Sequence, residues 1–309
     1  MELISCLSSA MNLCVAILIG LVLILWRDTE QKLSLPLKLA LSYGLGTGLV
    51  SLWMFLLGVL RLPLNFETIN LPLAVFVVTM GFLLSRAPKK NAEPREPSEH
   101  FHLSMPSLVF IFFIVINLCY ALWRSTQVPI SSWDAFATHA FNAKIIFYEQ
   151  SLQHFESMPH NNYPLHIPLL QAWFNLSRGA WDDQAILAIF PLYLISLFMV
   201  QYAFLKDYVP QQWALLSIVL LASSAFMLYH ATIGYRDLTL TYYNAATIML
   251  LIWWYRKGSP IYLNLAALFA GLTSFVKLEG AGYLLIQSIL LLILLANQKQ
   301  NSFRERLNN

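Results

Sequence analysis

The chain has 309 residues, 58% of them hydrophobic and only 11% charged, with a mean hydropathy of +0.60. That composition excludes a soluble globular domain, and apolar runs near the ~20 residues needed to cross a bilayer recur along it. The formal net charge of +3 is mostly explained by basic residues flanking those runs and argues for no nucleic-acid partner.

Taken in order, the runs predict an all-α polytopic transmembrane protein of about nine spans, roughly 4–26, 36–60, 70–86, 105–123, 183–205, 211–230, 238–255, 260–276 and 280–296. The first run has no basic residues ahead of it and is long enough to span, so it reads as a first helix rather than a cleaved signal. Cys6, Cys14 and Cys119 have no metal-like spacing and read as small apolar fillers. In the second run, G-L-G-T-G (Gly44, Gly46, Gly48) favours close helix packing over chemistry. Residues 1–86 form a three-helix section with almost no ionisable groups at membrane depth. A polar, proline-bearing linker follows at 87–104, then a second membrane section at 105–296, then a tail at 297–309.

Lys and Arg set the orientation, because short cytoplasmic loops retain positive charge. With the amino terminus outside, Arg27, Lys32, Lys38, Arg86, Lys206, Arg256 and Lys257 fall inside, as do the linker and the tail. Only Arg61, Arg124, Lys144, Arg178, Arg236 and Lys277 remain outside. The longest loop, 124–182, therefore faces out, and two apolar stretches in it read as interfacial helices. In the first, Trp133, Phe136, Ala140, Ala143 and Phe147 follow the helical period and predict one apolar stripe on the membrane surface. The second, Y-P-L-H-I-P-L-L-Q-A-W-F, opens on prolines suited to a turn and a first helical turn.

Ionisable residues concentrate on this outer side. Ser131-Ser132-Trp133-Asp134 fits a helix-start pattern in which Ser131 caps and Asp134 faces the positive end of the helix dipole. The same carboxylate suits a base that takes a proton from an attacking hydroxyl. G-Y-R-D-L-T-L places Arg236 and Asp237 at the start of a span, and V-K-L-E-G places Lys277 and Glu279 in a tight turn. Such residues at a span edge are costly unless they pair or line a wet cavity. They read either as structural ion pairs or as a site in which Arg236, Lys277 and Lys144 hold a phosphate. His139 and His166 lack metal-ligand spacing and read as hydrogen-bonded histidines. Asp182-Asp183 reads as a helix-start acid, and there is no phosphate-binding glycine loop or hydrolase serine motif.

The order W-D-A-F-A-T-H-A-F-N-A-K, then Y-P-L-H-I-P-L-L-Q-A-W, then Y-R-D-L-T-L, then F-V-K-L-E-G resembles the GT-C superfamily of polytopic glycosyltransferases. The likeness covers roughly residues 105–296 and is strongest to members such as the bacterial protein mannosyltransferases and the aminoarabinose transferase. It implies inverting transfer of a sugar from a polyprenyl-phosphate donor to a lipid, glycan or protein acceptor on the outer side of the bacterial inner membrane. By the same likeness, Asp134 would be the general base and Lys144, Arg236 and Lys277 would hold the donor phosphate. His139, Tyr163, His166, Asp237 and Glu279 would line the substrate pocket. The resemblance implies no certain cofactor and leaves a divalent cation open. Three more spans precede the acidic loop than in familiar members and fewer helices follow it, so the chain either works alone or is completed by a partner subunit. A protein that binds, flips or carries a lipid-linked sugar without turnover is the alternative.

Overall fold

The structure, a computed structural model, describes residues 2–86 and 104–308, with side chains for 10–86 and 104–298. All but the last residue of the expected linker at 87–104 therefore lies outside the described residues. Among those described, the protein is helical with no strand. Four helices come first: α1 (Glu2–Arg27), α2 (Leu35–Val59), α3 (Phe66–Arg86) and α4 (Met105–Gln127). After the long loop with α5 (Phe141–Glu149) and α6 (His166–Leu176) come α7 (Ile189–Lys206), α8 (Gln211–Ala222) and α9 (Ala225–His230). The last three are α10 (Asp237–Lys257), α11 (Pro260–Val276) and α12 (Glu279–Asn308). Helix α12 runs unbroken through the segment expected as a tail.

Six helical stretches are long and apolar enough to cross a membrane: 10–27, 35–59, 66–86, 105–127, 185–206 and 279–298. They mark an integral membrane protein. The other three expected spans fall short by that measure. Helices α8 and α11 are apolar but have 12 and 17 residues, and at about 1.5 Å per residue α8 alone covers little more than half of a ~30 Å hydrocarbon core. The run predicted at 211–230 divides at Ser223-Ser224, where the Ser223 hydroxyl bonds back to the Leu220 carbonyl and competes with the helical ladder. Helix α10 has 21 residues, but Thr, Tyr and Asn interrupt its apolar character.

The two ends of the bundle differ. At one end the α1–α2, α7–α8 and α10–α11 turns meet. Lys38 Nζ sits 2.8 Å from Asp28, whose carboxylate also accepts from the backbone of Lys32 and Leu33. Asp207 accepts from Trp253 Nε1 and Lys257 Nζ, and the Tyr262 hydroxyl reaches the Lys32 carbonyl. At the opposite end, the loop end, Gln150 O accepts from Leu64 N, joining the long loop to the α2–α3 turn, and Trp173 donates to Asn70 of α3.

Helix α2 is the centre. Its glycines are packing positions, as their spacing predicted: a Cβ at Gly46 would strike the Ala16 carbonyl of α1, one at Gly44 the ring of Tyr242, and one at Gly48 the side chain of Leu272. From the other side, a Cβ at Gly20 of α1 would strike the carbonyl of Ser42. Bare backbone at these points lets α1, α10 and α11 approach closely. The expected effect of Gly46→Leu is therefore a loss of about 2 kcal/mol or more, read as a lower unfolding midpoint in detergent. Gly271→Leu, at a position with open space around it, should leave that midpoint unchanged.

Candidate functional site at the loop end

The first loop helix begins at Trp133, and the Ser132 carbonyl, not a serine side chain, takes the first bond, from Phe136 N at 2.9 Å. No Ser131 side-chain cap forms among the described residues, which corrects the expected helix-start pattern. A widened π-helical turn then spans Ala135–Ala140 before α5. Such turns shift the register of every following side chain, which is the reason the expected apolar stripe does not exist. Trp133 (77% exposed) and Phe136 (55% exposed) face outward with Phe141 and Tyr148, while Ala135, His139, Ala140, Asn142, Ala143 and Ile146 are buried. The Thr138 hydroxyl bonds the Asp134 carbonyl that the wide turn would otherwise leave weakly paired.

The start of α10 packs against this turn. Gly234 has φ +85°, a conformation that favours glycine, and a Cβ there would crowd the Ala135 Cβ at 3.3 Å. This close approach delivers Arg236 into the interior, where it is 1% exposed. Its Nε donates to His139 Nδ1 at 3.0 Å, its Nη1 donates to the Pro164 carbonyl at 2.8 Å, and the guanidinium lies 5.3 Å from the Tyr163 ring centroid. No carboxylate lies within ion-pairing distance of it among the described residues. Burial lowers the Arg236 pKa to about 10, against the pull of Tyr163, Glu279 and Asp237, so it stays a cation at neutral pH. A buried cation held only by neutral acceptors and a ring face keeps an unspent attraction for an anion.

Asp237 does not pair with its neighbour Arg236. It accepts from Lys277 Nζ at 3.0 Å, and Lys277 also lies 3.2 Å from Glu279. Burial alone would lower the Lys277 pKa, but hydrogen bonds and charge from Asp237 and Glu279 outweigh it and hold the pKa above the ordinary lysine value. His139 feels this cluster. Burial, reinforced by Arg236, Lys277 and His160, pushes its pKa down to about 2, so the ring is neutral.

Seven of the residues singled out in the sequence thus gather at one end of the bundle: Asp134, His139, Tyr163, Arg236, Asp237, Lys277 and Glu279. Asp134 is exposed and joins through Tyr235, which is near enough to feel its charge. Its carboxylate makes no hydrogen bond or ion pair among the described residues. Two others are placed differently. Lys144 is exposed on α5 and lies 5.8 Å from the Trp181 ring, and makes no hydrogen bond or ion pair with the cluster among the described residues. His166 is fully buried below the cluster, 2.7 Å from Ser51 Oγ and 3.1 Å from the Tyr193 hydroxyl. Its helix is buried at every residue, so α6 is an internal wedge rather than an interfacial helix. Asp182 caps as expected, accepting from the backbone of Gln184 and Ala185 and pairing with Arg178.

Tyr235, His160 and the Pro164 carbonyl are additions that spacing did not single out, although Tyr235 stands in the same G-Y-R-D string. Among the described residues no group of three His, Cys, Asp or Glu side chains is arranged to hold a metal ion. No family model, no curated protein and no solved structure matches the chain significantly.

The neutral His139 gives a measurable linkage. The folded ring resists protonation down to about pH 2, while the unfolded ring titrates near 6.5. Below pH 6.5 the unfolded state therefore binds more protons, and stability falls as pH drops toward the folded-state value. The unfolding midpoint of the solubilised protein should fall between pH 7.5 and 5, and His139→Gln should reduce that slope.

Proposed function

We propose that this protein is an integral-membrane glycosyltransferase that moves a sugar from a polyprenyl-phosphate donor to an acceptor, with inversion. In this reading nine segments cross the bacterial inner membrane, α8 and α9 forming one of them, and the loop end faces outside. The observation that carries it is Arg236: a buried guanidinium with no carboxylate partner among the described residues, at the end of the bundle where Lys277 and Asp134, an acid likewise unpaired among those residues, also stand. A lipid phosphate supplies the missing anion, and its chain lies in the surrounding bilayer.

The chemistry assigns each group a task. Asp134 takes the proton of the acceptor hydroxyl as the oxygen attacks the sugar carbon. Arg236 and Lys277 stabilise the charge on the departing phosphate. Asp237 and Glu279 hold the Lys277 ammonium in place, and Tyr163 and His139 form the wall around Arg236. His166 supports that wall from below. Lys144 with Trp133, Phe136, Phe141 and Tyr148 suits the membrane interface, where aromatic rings and a snorkelling lysine settle. The order of motifs shared with the GT-C superfamily supports the same reading. The acceptor is a lipid, a glycan or a protein, and a partner subunit completes the site if the chain is part of a larger assembly.

One observation favours binding or carriage without turnover instead: no hydrogen bond among the described residues positions the Asp134 carboxylate. Transfer from a polyprenyl-phosphate sugar in proteoliposomes separates the two. Asp134→Asn should reduce turnover by about 10²-fold or more while donor binding persists. Binding of the lipid-linked sugar with no turnover in the unaltered protein, indifferent to Asp134→Asn, would establish the carrier.

A further inference from the structure

The last residue of α9 brings to the loop end a histidine to which the phosphate reading gives no task. His230 is 7% exposed, and its Nδ1 is covered and makes no hydrogen bond among the described residues. Asp237 Oδ2 lies 4.0 Å from that nitrogen, beyond hydrogen-bond reach but within the range of an ion pair. Three aromatic rings surround the imidazole, with centroids at 4.3 Å for Phe226, 5.6 Å for Tyr235 and 5.7 Å for Tyr229. In its neutral form the ring leaves a buried polar atom without a partner, a cost that an ion pair with Asp237 removes.

The charges around Lys277 show what such a pair would do. Lys277 Nζ lies 3.0 Å from Asp237 and 3.2 Å from Glu279, so one positive charge faces two negative ones and the three groups carry a net −1. An arriving phosphate meets a cation already shared and a surplus of negative charge. Asp237 accepts from Lys277 at Oδ1 and has Oδ2 on the side of His230, so a proton on His230 brings the four groups to zero and leaves the lysine in place. The charges near enough to act on His230 are Asp237 at the start of α10 and Lys277 at the end of α11. Tyr229 and Tyr235 are the other titratable groups against its ring, and α8, on which α9 packs, has no ionisable side chain.

We propose that His230 is a positioning residue for the donor phosphate: in its protonated form it engages Asp237 and leaves the charge of Lys277 to the phosphate, so the site holds its lipid anion more tightly in acid. The inference rests on the phosphate reading of this site and adds to it a residue and a pH dependence. His230 acts only through Asp237 and passes no proton to the substrate. Protonation adds a positive charge beside an anion site, so affinity is highest below the titration of the histidine and falls as pH rises through it. By the same linkage, a bound phosphate holds the proton on His230.

The test is binding of farnesyl methyl phosphate to the full-length protein in nanodiscs of zwitterionic lipid, at pH 8 and pH 5, with farnesol as competitor. This diester keeps one negative charge at both pH values. His139 stays neutral at both, its pKa being about 2, and His160, near enough to act on His139, is controlled by His160→Gln. Each variant is accepted only if its unfolding midpoint shows it folded. The unaltered protein and His160→Gln should bind about fivefold or more tightly at pH 5 than at pH 8. His230→Gln should bind at the pH 8 strength throughout. Asp237→Asn keeps a hydrogen-bond acceptor for Lys277 and removes the surplus charge, so it should bind at pH 8 as tightly as the unaltered protein does at pH 5, with no further gain in acid. A merely structural histidine would produce neither change, and should His230→Gln not fold, Asp237→Asn decides. Equal affinity of the unaltered protein at the two pH values, or an undiminished pH dependence in either variant, overturns the role of His230 alone. If the unaltered protein binds no farnesyl methyl phosphate at either pH, or farnesol competes as well as the diester, the phosphate reading falls and this inference with it.

Discussion

A ladder of buried hydrogen bonds on α2 underlies the loop end. The Thr47 hydroxyl lies within 3.0 Å of the carbonyls of Tyr43 and Gly44, and 2.8 Å from the hydroxyl of Tyr193 on α7. Tyr193 in turn meets His166 Nε2, and His166 Nδ1 meets Ser51, one turn further along α2. The ladder can be satisfied in either direction of donation: from Ser51 through His166 and Tyr193 to Thr47 and the Tyr43 carbonyl, or from Thr47 through Tyr193 and His166 to Ser51, whose hydroxyl then donates to the Gly48 carbonyl. In surroundings with no water to take over a lost bond, such a ladder tolerates few alternatives. It ties α6, α7 and α2 into one block.

The candidate site inherits its geometry from that block. Pro164, whose carbonyl holds Arg236, stands two residues before His166, so anchoring His166 also anchors the acceptor and the neighbouring Tyr163 ring. The glycines of α2 add to the same constraint from the other face. With Gly44 bare, the Tyr242 ring packs directly on the backbone and its hydroxyl reaches the Ala40 carbonyl, while Tyr243 donates to Gly44 itself. Helix α10 is thereby fixed in depth and rotation, and Arg236 at its start is delivered to His139. The front helices thus take part in placing the site.

Charge is divided with similar economy. At the opposite end each described ion pair is complete, with Lys38 on Asp28 and Lys257 on Asp207. At the loop end Lys277 is shared by Asp237 and Glu279, whereas the buried Arg236 is held by neutral groups among the described residues. Burying an arginine without an acid is costly, and a fold retains that cost where an anion is to be received. The reading of the site as a phosphate receiver depends on this asymmetry more than on the number of charged residues gathered there.

Most of the helices were legible from the sequence, because burial in lipid demands long apolar runs and their edges fall at Pro, Gly and charged residues. Eight of the nine predicted segments each overlap one long helix, the run at 211–230 dividing into α8 and α9, and the packing role of Gly44, Gly46 and Gly48 and the capping role of Asp182 agree with the spacing. The grouping of Arg236, Lys277 and Asp237 was legible only as a shared side. What tertiary structure decided was partnership. Spacing could not reveal the π-helical turn that rotates Phe136 away from Ala140, since a one-residue widening leaves no mark on composition. Nor could it tell that α6 is swallowed whole, because an apolar helix reads the same against lipid as against protein. And the pairing of Arg236 with His139 instead of Asp237 was settled by the close approach at Gly234, where two segments about a hundred residues apart meet.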